Sequence, residues 1–181
     1  MQYRIAIRAG RLAIATRRED LPLEALLDFA SRHNPKRGFL FVSRVLGKHI
    51  PCRPRRMREI YERLAQRLGD PAQPLLVVGM AETATGLGGG VADSLAGGNR
   101  EVMYIHTTRH HLDLPRLLET DEAHSHAPEH ILYRPRDELA GLFRAARTLV
   151  LVDDEISTGR TLARLAQRLA RHLPRLQRIF L

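Results

Sequence analysis

Cysteine is all but missing: Cys52 stands alone in 181 residues. A single thiol builds neither a disulfide framework nor a cysteine-based zinc site. Tryptophan is absent and aromatic residues make up 5% of the chain. That is too few for the interleaved basic and aromatic pattern on which single-strand nucleic-acid binders stack bases. No apolar run approaches the roughly 18 residues of a membrane span. The opening MQYRIAIRAG carries no signal-peptide pattern, so a cytoplasmic location away from membranes is the expectation. Lysine is scarce as well. Lys36 and Lys48 are the only two among 29 basic residues, so arginine carries the formal charge of +9. Such an excess favours anionic partners: phosphorylated small molecules, nucleic acid or an acidic protein. Many of the arginines also fit solvated helix faces, as in ERLAQRLG and ARLAQRLARHLPRLQR. Charge alone does not choose between these.

What is present is a globular composition, 44% hydrophobic, enough for a core in one domain spanning 1–181. YRIAI and LAIAT alternate around RAGR and read as an N-terminal hairpin. EDLPLEALLDFASRHN, at 19–34, has an acidic start, Pro22 in its first turn and Leu23, Leu26, Leu27 and Ala30 at helical spacing, which predicts a helix. Residues 34–54 read as a strand and turn with Lys36, Arg37, Arg44 and Lys48 clustered locally. A helix is expected over about 56–68, burying Ile60, Leu64 and Leu68 and stopping at Gly69.

The rhythm then changes. PLLVVGM is short and wholly apolar, the mark of a strand covered on both faces of a parallel sheet. A loop and glycine-rich helix (81–98), the strand EVMYIHT, a long polar stretch of weak periodicity (109–135), a helix (136–147), the strand TLVLVDD and a helix (159–173) follow in turn. RLQRIFL starts one more strand, which ends with the chain at Leu181 and suggests that the natural protein continues. This alternation predicts an α/β fold with a mainly parallel sheet and helices on both faces.

One segment carries chemistry. In TLVLVDDEISTGRT, Asp153 and Asp154 fall at the carboxyl end of a strand, where open parallel sheets bind ligands. Buried as a core pair they would be costly, so they must meet solvent, cations or hydroxyl groups. Behind them, Ser157, Thr158, Gly159, Arg160 and Thr161 lie between strand and helix. Backbone N–H groups and hydroxyls there make a phosphate nest, with Gly159 allowing close backbone approach. Acceptors for sugar hydroxyls beside donors for a phosphate suit a ribose 5-phosphate. The plainer alternative is a solvated strand end with a helix-capping role.

LVLVDDEISTGRT resembles the phosphoribosyl-pyrophosphate (PRPP) signature of type I phosphoribosyltransferases. RGFLFVSRVLGKHIP, GMAETATGLG and SHAPEHILY further resemble the orotate-phosphoribosyltransferase-like proteins of bacterial tellurite-resistance and stress operons. The likeness covers about 33–181. It implies a type I phosphoribosyltransferase fold, with a small N-terminal hood over about 1–58 and a core over about 59–181. The implied activity moves ribose 5-phosphate from PRPP to a nitrogenous, base-like acceptor, with Mg²⁺ as cofactor and pyrophosphate released. Asp153 and Asp154 would bind the ribose hydroxyls, directly or through Mg²⁺, and 157–161 would hold the 5-phosphate. Ala81, Glu82, Thr83, Ala84 and Thr85 would hold the pyrophosphate. Gly47 and Lys48, in LGKHIP, would sit on the pyrophosphate or acceptor side with His126 and His130. A mobile flap over about 109–130, carrying Arg109, would exclude water from the reacting centre.

The match departs in places. Glu155 stands where the signature is usually aliphatic, and Glu82 puts an acid in an anion-binding loop. The flap offers Arg109, His110, His111, His124, His126 and His130 but no lysine, which argues against orotate itself. Other readings stay open beside the resemblance. GLGGG suits a helix packed closely on a sheet, and the histidines suit a solvated or anion-binding loop, or zinc. Cys52 reads as a half-buried small residue, and NPKRG as a turn with solvated cations. Related enzymes often form homodimers. The rival class is a PRPP- or nucleotide-sensing regulator that binds nucleic acid, the less favoured partner, or a protein. A third is the reverse reaction or hydrolysis of a nucleotide.

Overall fold

The alternating N-terminus forms the expected hairpin. In the computed structural model, β1 (Gln2–Ile7) and β2 (Gly10–Ala15) pair antiparallel, with Gln2 opposite Ala15 and Ile7 opposite Gly10. Gly10 takes the positive φ (138°) that the turn requires. The structure describes residues 1–33, 38–97, 99–121 and 128–181. Lys36, Arg37, His124 and His126 therefore lie outside the described residues. The chain divides into two compact units, Met1–Ile60 and Tyr61–Leu181.

In the first unit the helix expected over 19–34 is not there. One helical turn, α1 (Leu23–Leu26), is followed directly by β3 (Leu27–Ser31). Glu19 still acts at the start, accepting the Leu23 N–H at 2.8 Å and the Tyr3 hydroxyl. The Tyr3–Glu19 bond is the largest cause both of a Glu19 carboxyl pKa below its usual value, which the Leu23 N–H lowers further, and of a raised Tyr3 phenol pKa. Beyond it, β3 pairs antiparallel with β4 (Phe39–Ser43). Phe29 stands opposite Phe41, with ring centroids 5.7 Å apart and edge-to-face. A cross-strand aromatic pair is a tertiary gain that the helical spacing of Leu23, Leu26, Leu27 and Ala30 cannot match. α2 (Pro54–Arg67) is close to the expected helix, and Gly69 follows it in the left-handed region (φ 66°). Ile60, Leu64 and Leu68 are half-buried rather than core residues.

The second unit holds a four-stranded parallel sheet of order β10-β9-β5-β6. Its strands are β5 (Leu75–Gly79), β6 (Val102–His106), β9 (Thr148–Val152) and β10 (Arg178–Phe180). Every residue of β5 and β9 is buried, so both faces of the central strands are covered, as their unbroken apolar sequences predict. From β5 the chain passes through α3 (Thr85–Ala96) to β6; from β9 it passes through α5 (Arg160–Ala170) to β10, on the opposite side. Crossovers of one hand place those two helices on opposite faces. α5 buries Leu162, Leu165 and Leu169 and exposes Arg164, Arg168 and Arg171. A share of the arginine excess is thus a solvated helix face. Among the described residues, no helix is long and apolar enough to cross a membrane.

Between β6 and α4 (Asp137–Ala145) the described part of the polar stretch holds strands that its sequence does not predict. β7 (Arg116–Asp121) and β8 (Pro128–Tyr133) pair antiparallel with two register shifts. A regular period of 2 is broken by those shifts, which is why the pattern does not show. An antiparallel bridge between Thr108 and Ile131 ties this hairpin to the end of β6. The Tyr133 hydroxyl pins the approach, accepting the Leu112 N–H at 2.6 Å and donating to the His110 carbonyl at 3.0 Å.

The glycine-rich helix lies very close to the sheet. A Cβ on Gly88 would sit 2.8 Å from the Gly79 Cα, and one on Gly90 would sit 2.1 Å from the Tyr61 ring. Neither distance is tolerable, so within GLGGG Gly88 and Gly90 are packing requirements, whereas a Cβ on Gly86 or Gly89 would meet nothing closer than 3.6 Å. Gly88→Ala is expected to cost about 1–3 kcal/mol of stability through overpacking. Gly141→Ala, in α4 with nothing within 4 Å of its Cβ, should instead add about 0.5–1 kcal/mol. Urea unfolding of the two variants measures both; equal effects would contradict the close-packing account.

Candidate functional site

The strand order reverses between β5 and β9. These neighbours feed connections running in opposite directions, so their carboxyl ends open onto a crevice, the usual ligand position in open α/β sheets. Gly79, His106 and Val152 are in register across the sheet. Met80, Thr107 and Asp153 therefore follow side by side along its carboxyl edge. The Met80 N–H donates to the Val152 carbonyl at 2.9 Å, extending the ladder one step past the strand.

Two loops meet there. The Thr83 hydroxyl, from the loop after β5, donates to Asp154 Oδ1 at 2.6 Å. The Asp153 carboxylate accepts the Asp154 N–H at 2.9 Å, which fixes the first acid against its own backbone. Both acids are partly exposed. The following turn leads to Gly159, which caps α5 in the left-handed conformation (φ 72°, ψ 0°) and makes no side-chain cap bond. The Arg160 N–H makes a long bond to the Thr158 hydroxyl at 3.4 Å, and the first-turn N–H groups of α5 carry the positive end of the helix dipole.

The cleft between the loops measures about 240 Å³ and is lined by Ala81, Thr83, Arg109, His130, Asp153 and Glu155, with 156–162. It brings together most of the residues singled out in the sequence, the whole 157–161 turn included. Asp154, Glu82, Ala84 and Thr85 do not line it, and Asp154 reaches its edge through the Thr83 hydroxyl. Ala84 is buried with its N–H on the Met80 carbonyl at 3.0 Å, and Thr85 begins α3. The Ala81 N–H is also engaged, with the Thr107 hydroxyl at 2.8 Å. Glu82 is exposed and turns toward His110, Oε1 to Nε2 3.7 Å. Gly47 and Lys48 lie in the other unit, in the loop between β4 and α2, where Gly47 has φ 64°. A larger recess of about 890 Å³ elsewhere in the second unit is lined by Leu114, Arg134, Phe143 and His172 among others. It holds none of the paired acids or the helix-start turn.

Thr107 has no motif to announce it. It is fully buried, and its hydroxyl joins the loop after β5 to His130 Nδ1, 3.1 Å away. Its position just beyond the carboxyl end of a parallel strand was the available signal. Nearby, the half-buried Tyr104 donates to the Thr85 carbonyl, and burial raises its phenol pKa. Among the described residues, no three His, Cys, Asp or Glu side chains converge as a metal cluster.

Paired carboxylates beside a helix start and its hydroxyl-bearing turn can bind vicinal hydroxyls and a phosphate at once. A family model described as phosphoribosyl transferase matches residues 26–181. The chain belongs to the phosphoribosyl transferase family. Membership implies PRPP as substrate, a molecule that carries both groups on one ribose. The matched span covers the whole parallel sheet as well as β3 and β4. Among curated proteins, none matches the chain.

Gly159 is the one glycine of the turn, and its φ penalises any side chain. Gly159→Ala is expected to destabilise the protein by about 1–2 kcal/mol, and Gly159→Asn by less, because asparagine tolerates this region better. Thermal or urea unfolding measures the difference; equal costs would argue against a conformational origin.

Proposed function

We propose that the protein transfers ribose 5-phosphate from PRPP to a nitrogenous, base-like acceptor and releases pyrophosphate. In this reading the fold is of type I and the N-terminal unit supplies a hood. The relatives it resembles point to a nucleoside-like metabolite of a stress or tellurite-resistance pathway. The reading is carried by one observation: at the sheet's switch point, Asp153 and Asp154 precede the hydroxyl-bearing turn and the Gly159-capped start of α5, and that turn lines one cleft with Asp153.

On this account Asp153 and Asp154 bind the ribose hydroxyls, while 157–161 surround the 5-phosphate with N–H and O–H donors. For the pyrophosphate, the loop after β5 has the N–H groups of Glu82 and Thr83, which bond to no described residue; those of Ala81 and Ala84 are already engaged. Arg109 lines the cleft and supplies fixed positive charge toward the leaving group. The C1–oxygen bond to pyrophosphate breaks with oxocarbenium character, the acceptor nitrogen forms the new bond to C1, and its proton is lost to solvent. Electrostatic stabilisation and exclusion of water do the work, and no covalent enzyme intermediate is needed.

The donor set fits a divalent cation brought in with the substrate. Mg²⁺ typically takes one or two protein carboxylates and completes its shell with phosphate oxygens and water. Asp153 and Asp154 are the residues that would hold it. Bound there, it would add positive charge against the departing pyrophosphate.

The test is the double variant Asp153→Asn, Asp154→Asn, assayed for pyrophosphate release from PRPP against a panel of bases. Loss of turnover by about 10²- to 10³-fold or more, with an unchanged circular dichroism spectrum, is the expected result. Undiminished turnover would refute the assignment. The +9 charge favours one alternative, a regulator that senses PRPP. It would be marked by PRPP binding without turnover, together with salt-dependent affinity for nucleic acid.

A further inference from the structure

Thr107 and His130 form a buried pair beneath the cleft, 0% and 6% exposed. They join three pieces of chain: the end of β6, the return strand β8, and the loop after β5. We propose that Thr107 is a positioning residue. It holds His130 as the tautomer protonated at Nε2, which makes that ring a hydrogen-bond donor to substrate and bars it from acting as a general base.

The case is an inventory of protons. The Thr107 hydroxyl has one hydrogen and two lone pairs. The Ala81 N–H, 2.8 Å away, can only donate, so it occupies a lone pair. Among the described residues, the other partner of the hydroxyl is His130 Nδ1 at 3.1 Å. If Nδ1 carried a proton and donated, the hydroxyl would accept twice. Its own hydrogen would then be left without an acceptor in a fully buried position, an arrangement that folded proteins avoid. The satisfied arrangement sends the hydroxyl hydrogen to Nδ1, and the ring proton is then on Nε2.

The neighbouring imidazole provides a contrast. His106 Nδ1 lies 2.8 Å from the Thr107 carbonyl, which can only accept, so His106 must carry its proton at Nδ1. Two histidines on the same threonine thus have opposite tautomers, one set by its carbonyl and the other by its hydroxyl.

His130 lines the cleft with Asp153 and Arg109. With the Nδ1 lone pair engaged and Nε2 protonated, the ring has no free base to offer, and its polar contribution is an N–H donor. The same hydroxyl anchors the Ala81 N–H, so the loop before Glu82 and Thr83 and the hairpin's return strand share one fixed point. The tautomer stands on geometry alone; the donor role toward PRPP oxygens rests on the phosphoribosyl-transfer reading.

The experiment is a two-bond ¹H–¹⁵N correlation spectrum of the ¹⁵N-labelled full chain, with His130 assigned through His130→Gln. The expected wild-type pattern is an unprotonated Nδ1 and a protonated Nε2 at His130. Thr107→Val should lose that pattern and Thr107→Ser should keep it. In the PRPP assay, Thr107→Val should raise KM for PRPP about tenfold, the effect of one misplaced hydrogen bond, and Thr107→Ser should restore it. A wild-type His130 protonated at Nδ1 would overturn the proposal, even if the valine variant fails to fold. So would a folded Thr107→Val protein whose His130 pattern is unchanged. Absence of PRPP turnover in the wild type would count against the proposed function and leave the tautomer result intact.

Discussion

The Met80 N–H to Val152 carbonyl bond carries the β5–β9 pairing one residue past the strands. It does so at the point where the sheet's connections part. Parallel strands cannot be joined by tight turns, so each must leave its carboxyl end through a loop that climbs to a helix. Where neighbouring strands send those helices in opposite directions, the crossovers themselves leave the gap between the loops open. Both loops are therefore held together at their roots and free to differ above them. The Thr83–Asp154 bond is the side-chain counterpart of that constraint.

Each loop contributes one kind of chemistry because of what precedes and follows it. After β9 the chain leaves a dry strand, so polar side chains at 153–155 find their first access to solvent there, and α5 begins with donors pointing back toward them. After β5 the chain must rise within a few residues to a helix that packs against Gly79 through Gly88. That tight ascent uses the N–H groups of Ala81 and Ala84, and those of Glu82 and Thr83 remain. On the proposed reading charge is divided accordingly: Asp153 and Asp154 would meet the sugar, and the donors with Arg109 would meet the 5-phosphate and the pyrophosphate.

The sheet was readable wherever burial on both faces left only apolar residues, as in LLVV and TLVLV. The acids and the 157–161 turn were readable because their polarity is anomalous immediately after such a run. β3 was not: Leu23, Leu26, Leu27 and Ala30 satisfy a helical period, and the competing partner, the Phe39–Ser43 strand, is distant in sequence from their start. The β7–β8 hairpin was hidden by register shifts that break the alternation. Thr107 was missed because a lone threonine after a strand has no pattern of its own, and its meaning comes from Ala81 and His130, far away along the chain. Glu82 gained a neighbour in His110, whereas Glu155 lines the cleft with no role that the geometry assigns.

The central claim is that the crevice between β5 and β9 receives a phosphorylated ribose. Amide hydrogen exchange of the full chain, with and without ribose 5-phosphate, tests it without requiring an acceptor or turnover. The account predicts slowed exchange confined to 153–154 and 157–162, reversed by excess inorganic phosphate. Protection centred instead on the recess lined by Arg134, Phe143 and His172, or no protection at saturating ligand, would contradict it.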